Sequence, residues 1–219
     1  MTIPKRLHAT MHTFCSDMWD GYLGAIADFL AAHPEIEAKI VVDRFHVAKN
    51  YREDFDTLRK KEFRRLRHEL PDTTYEEVVR GTHWLLRRNH ANLNDDDKAR
   101  LRRLFLYAPI LHQAYTLREE LTAIFNMKLN LTAGRRRLEM WADKVKRNKF
   151  TCFDKFLKTL RNHLDEIANY FDKRASSGFV EGVNNKLKTI TRRSYGLKRV
   201  DSLFRRLWLD MSGYKRFIA

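Results

Sequence analysis

Apolar residues recur at helical spacing along most of this chain, and short β-rich runs occur only near its start. Residues 11–16 (MHTFCS) predict a short strand, and the apolar positions between residues 19 and 30 fall on one helical face. Pro34 ends that helix, and the run 38–42 (AKIVV) predicts a second, buried strand. The order strand–helix–strand favours a parallel pair in an α/β sheet.

The middle of the chain has a different character, because strand signals vanish and long amphipathic stretches take over. We predict about six helices here, one of them stopped by Pro71, and the low counts of Pro (4) and Gly (8) support long helices. The expected organisation is an α/β segment over residues 1–50, an all-α region over 51–175 and C-terminal helices over 176–219. The fold is therefore expected to be mostly helical overall.

The last segment starts at a Ser-Ser-Gly break and continues as a helix with two different faces. Gly182 is unfavourable inside such a helix, and a close approach by another group would rationalise it. The helical spacing predicts an apolar stripe of Val180, Val183, Leu187 and Ile190 and a polar stripe of Glu181, Asn184, Asn185, Lys188 and Arg192.

The formal net charge of +15 favours a polyanionic partner, and nucleic acid is the commonest one. The surplus is uneven: residues 1–50 carry 5 basic and 6 acidic side chains, residues 51–175 carry 28 and 19, and residues 176–219 carry 10 and 3. A solubilising surface is the alternative explanation. The distribution suits a carboxylate site near the N-terminus flanked by surfaces that hold DNA.

The cysteines and the N-terminus indicate a protein of the reducing cytoplasm, associated with the nucleoid if DNA is its partner. Cys15 and Cys152 have no paired spacing, so the cysteines support neither a disulfide framework nor a zinc site. No apolar run follows Lys5 and Arg6, as a signal peptide would require. No stretch approaches the length of a transmembrane helix, so no membrane partner is expected.

Four residues are candidates for catalytic chemistry. Asp17 follows the first predicted strand, Asp43 and His46 follow the second, and Glu181 lies on the late helix. Sites in parallel α/β sheets gather at the carboxyl ends of strands. Carboxylates there, joined by a Glu from a helix packed across the sheet, make an oxygen-rich pocket that suits Mg²⁺. Two such ions can clamp the attacking and leaving oxygens of a phosphodiester.

Each candidate also has a purely structural explanation when it is taken alone. Asp17 and Asp43 could be helix N-caps, since Asp is among the favoured residues there. His46 could be a satisfied core histidine, and Glu181 could be a solvated partner in a surface ion pair. The combination is therefore more specific than any single residue.

Four sequence runs carry a resemblance to a known family. They are SDMWDGY (16–22), VVDRFHVAKNYR (41–52), NYF (169–171) and GFVEGVNNKLKTITRRSYGLK (178–198). With them the chain resembles the DDE transposases of bacterial insertion sequences, in the ISL-three family, over nearly its whole length. The resemblance implies an RNase H-like catalytic core, here partial, interrupted by an α-helical insertion.

The resemblance also implies a role for each candidate. Asp17 matches the second catalytic Asp, with Asp43 as the reserve candidate, and Glu181 matches the closing Glu of the triad. Asp17 and Glu181 would ligate Mg²⁺ or Mn²⁺, in a two-ion site of the complete protein. Asp43 and His46 look like the D-x-x-H signature and would support the site. The expected DNA-binding residues are Asn185, Lys188, Arg192 and Arg193.

The first catalytic Asp of the family has no counterpart, because none of the 16 residues before Asp17 is acidic. We therefore expect a C-terminal portion of a transposase that lacks the first three core strands and is catalytically silent alone. In the complete protein, a homo-oligomer, water would cleave DNA at the transposon end and the freed 3′-hydroxyl would attack target DNA. The alternatives are a non-catalytic basic DNA-binding fragment, inert or interfering with a full-length transposase, and a helical RNA-binding protein, which leaves residues 178–198 unexplained.

Trp84 lies in the expected insertion, in the run GTHWLLRRN, beside Arg87 and Arg88. We predict that it packs in the core, because Trp is highly buried on average and Leu85 and Leu86 supply apolar neighbours. In the alternative, an exposed Trp84 stacks on an unpaired base.

Overall fold

The computed structural model describes residues 5–194 and 199–213. Part of the run 178–198 therefore lies outside the described residues, namely 195–198, and so do 1–4 and 214–219 of the two expected outer segments. The chain divides into two compact units, residues 1–175 and residues 176–219, and each is described by itself.

The described part of the chain is mostly helical, as predicted, with two short strands. The strands are β1 (Thr13–Ser16) and β2 (Lys39–Val42). The helices are α1 (Asp20–Ala32), α2 (Arg44–Glu69), α3 (Asp72–Val79), α4 (Thr82–Leu85), α5 (Asp95–Tyr107), α6 (Pro109–Asn126), α7 (Leu131–Arg147), α8 (Asp154–Asn162), α9 (Leu164–Ala168), α10 (Tyr170–Lys173), α11 (Gly178–Arg193) and α12 (Val200–Ser212).

The two strands pair in parallel, which confirms the arrangement predicted from the strand–helix–strand order. Their register runs from Thr13 opposite Lys39 to Ser16 opposite Val42, and α1 makes the crossover between them. The first strand begins two residues later than predicted, at Thr13. Among the described residues these strands form the whole sheet, so an RNase H-like core remains a proposal.

Residues 164–172 cover the free edge of β2. Helix α9 packs on this strand, and Asn169 donates a hydrogen bond from Nδ2 to the carbonyl oxygen of Ile40 at 2.9 Å. Lys39 Nζ forms an ion pair with Asp172 Oδ2 at 2.8 Å. These contacts give the NYF run at 169–171 a structural role, which the sequence pattern alone did not assign.

The helices of the first unit share one apolar core with the sheet. Helix α2 packs against α6 and α8, and α6 packs against α7. The expected boundary between residues 50 and 51 falls within α2, and that division remains a proposal. The largest fully buried side chains include Tyr51, Phe125, Phe153, Phe156, Leu66, Leu86, Leu104 and Leu138.

The helical middle contains more and shorter helices than the six predicted. The apolar pattern from Thr74 to Arg88 predicts one of the six helices, but the structure breaks it at Gly81, whose φ of 76° is left-handed. The pattern from Phe153 to Phe171 predicts another, which the structure divides at His163. The apolar periodicity continues across both breaks, so the pattern merges helices that the backbone separates.

The prediction that Trp84 is buried is wrong, because 61% of this residue is exposed. Helix α4 is only four residues long, and it buries Thr82 and Leu85, which lie three residues apart on one side. Trp84 lies between them in sequence and therefore projects from the other side. The guanidinium carbon of Arg87 lies 5.4 Å from the centroid of the Trp84 ring.

In the second unit, α11 and α12 pack against each other. Ile190 and Leu207 are buried, and Lys186 Nζ pairs with Asp210 Oδ2 at 3.0 Å. The predicted apolar stripe of α11 is thus buried at its C-terminal end, whereas Val180 at the other end is 57% exposed.

None of the helices in the described part of the chain combines the length and the apolar character needed to cross a lipid bilayer.

Candidate active site

Asp17 and Asp43 leave the sheet side by side. Each follows the last residue of its strand, and those last residues, Ser16 and Val42, are register partners. The backbone N–H of Asp43 donates to the carbonyl oxygen of Ser16 at 2.9 Å, which extends the pairing by one bond. Neighbouring strands are about 4.7–4.9 Å apart, so both carboxylates start from the same carboxyl edge of the sheet.

Asp43 is the N-cap of α2, as one of the structural alternatives predicted. Its Oδ1 accepts a hydrogen bond from the backbone N–H of Phe45 at 2.7 Å, and the residue is only 4% exposed. An ionised carboxylate offers about four lone-pair sites on two oxygens. Capping is therefore compatible with binding a cation, and it holds the carboxylate in a defined orientation.

Asp17 has a different local role, and the expectation that it might be an N-cap is wrong. Trp19 occupies the N-cap position of α1, and no side chain caps that helix. The Oδ1 atom of Asp17 instead accepts a hydrogen bond from the Trp19 N–H at 3.1 Å, an Asx-type turn between β1 and α1. The turn holds Asp17, which is half-buried, at the strand end.

His46 lies in the first turn of α2, where its backbone N–H bonds to the carbonyl oxygen of Asp43 at 3.0 Å. The residue is half-buried rather than in the core, and its ring contacts Phe45 edge-on at a centroid distance of 5.4 Å. The D-x-x-H spacing thus places an imidazole within one helical turn of the capping carboxylate.

Glu181 belongs to the second unit, where it lies exposed in the first turn of α11. Ser177 Oγ donates a hydrogen bond to its Oε1 at 3.1 Å. A carboxylate is favourable there because the helix macrodipole is positive at the N-terminus. The structure therefore brings Asp17, Asp43 and His46 together, whereas the role of Glu181 rests on the resemblance.

The four expected DNA-binding residues all lie exposed on α11. The other three follow the first by three, seven and eight residues, and this helical spacing places all four along one side of the helix. Basic residues in the last turn of a helix also complement its macrodipole, which is a structural explanation for two of them. The four residues are Asn185, Lys188, Arg192 and Arg193.

Comparison with known proteins identifies the family of this chain. A family model described as a transposase, of the DDE type named for ISL3, matches residues 2–207. The chain belongs to the ISL3 family of DDE transposases. This assignment confirms the resemblance drawn from the four sequence runs.

Two curated transposases that resemble the chain are considerably longer than it. The transposase for insertion sequence element IS1001 of Bordetella parapertussis is 29% identical over 181 residues, which are 82% of this chain and 44% of that protein. The transposase for IS1557 of Mycobacterium tuberculosis is 25% identical over 137 residues, 63% of this chain and 30% of that protein. The chain thus matches less than half the length of either relative. No solved structure matches it.

Proposed function

We propose that this chain supplies part of the catalytic centre of a DNA transposase that cleaves and joins DNA at insertion-sequence ends. The observation that carries the proposal is the parallel pair of strands that end together at Asp17 and Asp43. Because the chain belongs to a transposase family, we assign metal-assisted DNA cleavage and joining to the carboxylates at these strand ends. Glu181 belongs to the same catalytic set on the resemblance alone, and the complete core is RNase H-like.

The donor set fits a divalent cation such as Mg²⁺ or Mn²⁺. Asp17 and Asp43 offer carboxylate oxygens, which are the ligands that these hard cations prefer. When bound, a pair of such ions stabilises the charge that develops on the attacking and leaving oxygens of a phosphodiester. In our proposal Asp17 and Glu181 are the principal ligands, and Asp43 is the reserve ligand.

The chain's own residues would position this chemistry. Asp43 caps α2 and so orients the first turn, from which His46 presents an imidazole that can donate a hydrogen bond to a phosphate oxygen. Asp17 is held by its turn to Trp19. Asn185, Lys188, Arg192 and Arg193 would bind the DNA backbone, because phosphate contacts position the duplex without reading its sequence. DNA in the bacterial nucleoid would be the substrate, and the complete protein would act as a homo-oligomer.

The test is a DNA-nicking assay with insertion-sequence end DNA in Mg²⁺ or Mn²⁺. It compares the 219-residue chain with a longer protein in which a segment carrying the first catalytic Asp precedes the chain. We expect nicking by the longer protein, and Asp17→Asn or Glu181→Gln should reduce it to background. Asp28→Asn, which removes an exposed carboxylate of α1, is the matched control and should keep full activity. Unchanged activity in Asp17→Asn would refute the assignment.

A non-catalytic DNA-binding fragment is the second candidate, and the +15 charge with the exposed basic side of α11 favours it. It predicts salt-sensitive DNA binding by the chain and no cleavage in any context. In that case Asp17→Asn would change neither property, and the chain would inhibit a full-length transposase only by competing for its DNA or its oligomer.

A further inference from the structure

Three side chains of types that can bind a metal lie close together near the end of the sheet where the strands begin, and Asp17 lies at the other end. His8 lies on a 3-10 helix, Lys5–Thr10, that precedes β1; His33 is the C-cap of α1; and Glu35 lies in the turn toward β2. The Nδ1 atoms of His8 and His33 lie 2.9 Å and 3.3 Å from Glu35 Oε1. One ligand atom from each residue falls within 4.8 Å of the other two.

The histidines are held by aromatic packing. His8 is only 5% exposed, and its ring lies 4.8 Å from that of His33, centroid to centroid. Phe29 contacts His8 edge-on at 6.1 Å and lies 5.8 Å from Phe14 of β1. The cluster is thereby built into the packing of α1 against the sheet.

Backbone hydrogen bonds fix the segments that carry the cluster. The His33 N–H donates to the Leu30 carbonyl oxygen at 3.1 Å, and the Ile36 N–H donates to the His33 carbonyl oxygen at 2.9 Å. On the 3-10 helix, Thr10 Oγ1 donates to the Leu7 carbonyl oxygen at 2.8 Å. Ordered backbone on both sides means that little rearrangement is needed for the three side chains to share one ion.

We propose that His8, His33 and Glu35 bind one Zn²⁺ ion that ties the N-terminal segment to the end of α1. Zinc prefers imidazole nitrogen and carboxylate oxygen at about 2.0–2.2 Å, which in a tetrahedral site separates the ligand atoms by roughly 3.3 Å. The observed separations from Glu35 Oε1 are close to that value. Two imidazoles make Mg²⁺ a poor fit, because it is bound through oxygen.

The donor set of the cluster suits a cation, because imidazole nitrogen and carboxylate oxygen are both ligands that zinc binds. Three protein ligands leave a fourth position for water. The two cysteines gave no sign of this site, because its ligands are histidines and a glutamate and not thiolates.

The site is separate from the proposed catalytic centre in its residues, its edge of the sheet and its metal. Its role would be structural, because the 3-10 helix that it holds leads directly into β1, and β1 ends at Asp17. Zinc binding is measured on the chain without DNA, so its failure and a failure of DNA nicking are distinguishable.

The experiment uses the 219-residue chain after treatment with a chelator. We expect one Zn²⁺ per chain, a rise in Tm of about 5–10 °C at a hundredfold excess over the dissociation constant, and no comparable rise with Mg²⁺. Co²⁺ in place of Zn²⁺ should give the visible absorption of a four-coordinate ion. Absence of both the bound ion and the rise in Tm would overturn the proposal.

Variants locate the ion. His33→Gln and Glu35→Gln should each abolish the Zn²⁺-dependent rise in Tm, and they are preferable to changes at the buried His8, which risk unfolding. His12→Gln removes an exposed histidine outside the cluster and should bind Zn²⁺ normally. His46→Gln should also retain binding. Loss of zinc in His46→Gln but not in His33→Gln would place the ion elsewhere and refute the site.

Discussion

The backbone N–H of Asp43 donates to the carbonyl oxygen of Ser16 at 2.9 Å, and this bond joins the two strand ends from which Asp17 and Asp43 emerge. The neighbouring carboxylates nevertheless have different local roles. Asp43 caps a 26-residue helix, whereas Asp17 closes a turn. Stability and metal binding should therefore respond differently to changes at the two positions.

For Asp43, we expect the Asn and Ala variants to separate capping from ligation. Asp43→Ala should lower the free energy of unfolding by about 1 kcal/mol, whereas Asp43→Asn should preserve it, because Asn caps helices as well as Asp does. Urea denaturation measures both values. If Asp43→Asn keeps its stability and loses Mn²⁺ binding, Asp43 is a ligand; if binding is lost only in Asp17→Asn, Asp17 holds that role. Equal destabilisation by Asn and Ala would contradict the capping role.

The basic side of α11 should bind DNA without sequence preference. Lys188→Ala with Arg192→Ala should weaken binding to all duplexes and flatten the slope of log K against log salt by about 0.9 for each lost phosphate contact. Lys186→Ala is the control for Lys188→Ala alone, because each removes one positive charge from the same helix and Lys186 is already paired with Asp210 at 3.0 Å. Affinity measured from low to high salt checks this prediction, and an equal change of slope in all variants would contradict it.

The exposed Trp84 should matter for binding rather than for folding. Trp84→Ala should change the free energy of unfolding by less than about 1 kcal/mol, since the ring is exposed and the contacts shown for it are with its helix neighbours His83 and Arg87. Binding of single-stranded DNA should weaken by about 1–3 kcal/mol if a base stacks on the ring. Trp141, which is 3% exposed and donates from Nε1 to the Leu117 carbonyl oxygen, provides the contrast. Trp141→Ala should cost about 3–5 kcal/mol of stability.

Two helical glycines should respond oppositely to alanine. A Cβ atom on Gly134 of α7 would clash with the ring of Phe171, so Gly134→Ala should destabilise the chain by about 1–3 kcal/mol. No atom of the described residues lies within 4 Å of a Cβ on Gly24 of α1, so Gly24→Ala should stabilise by about 0.5–1 kcal/mol. Thermal unfolding of both variants tests the pair, and equal shifts in Tm would contradict the packing argument.

The described residues do not supply the close approach expected at Gly182, since none of their atoms, apart from its chain neighbours and the local helix backbone, lies within 4 Å of a Cβ built there. We predict that DNA makes this close approach. Gly182→Ala should then leave stability equal or higher while weakening DNA binding. Unimpaired DNA binding by this variant would contradict a close approach of DNA to Gly182.

Local sequence patterns were sufficient for several features of this protein. The β-rich run before Asp43 and the order strand–helix–strand predicted the parallel pair, because alternation and bounding residues act over a few positions. The same reasoning placed Asp17 and Asp43 just after their strands and set the exposed residues of α11 on one polar side. The strands and helices themselves are set by patterns within about four residues, the range over which helix and strand periods operate, whereas the parallel pairing followed from the order of these elements.

Tertiary structure decided the features that depend on distant segments. His8 lies 27 residues from Glu35, and Gly134 meets Phe171 from another helix, so no local period encodes either contact. Trp84 had apolar neighbours in sequence, but the four-residue length of α4 decided which side faced the core. Burial is set by which faces of the elements meet, and that depends on how the whole chain packs rather than on the residues adjacent in sequence.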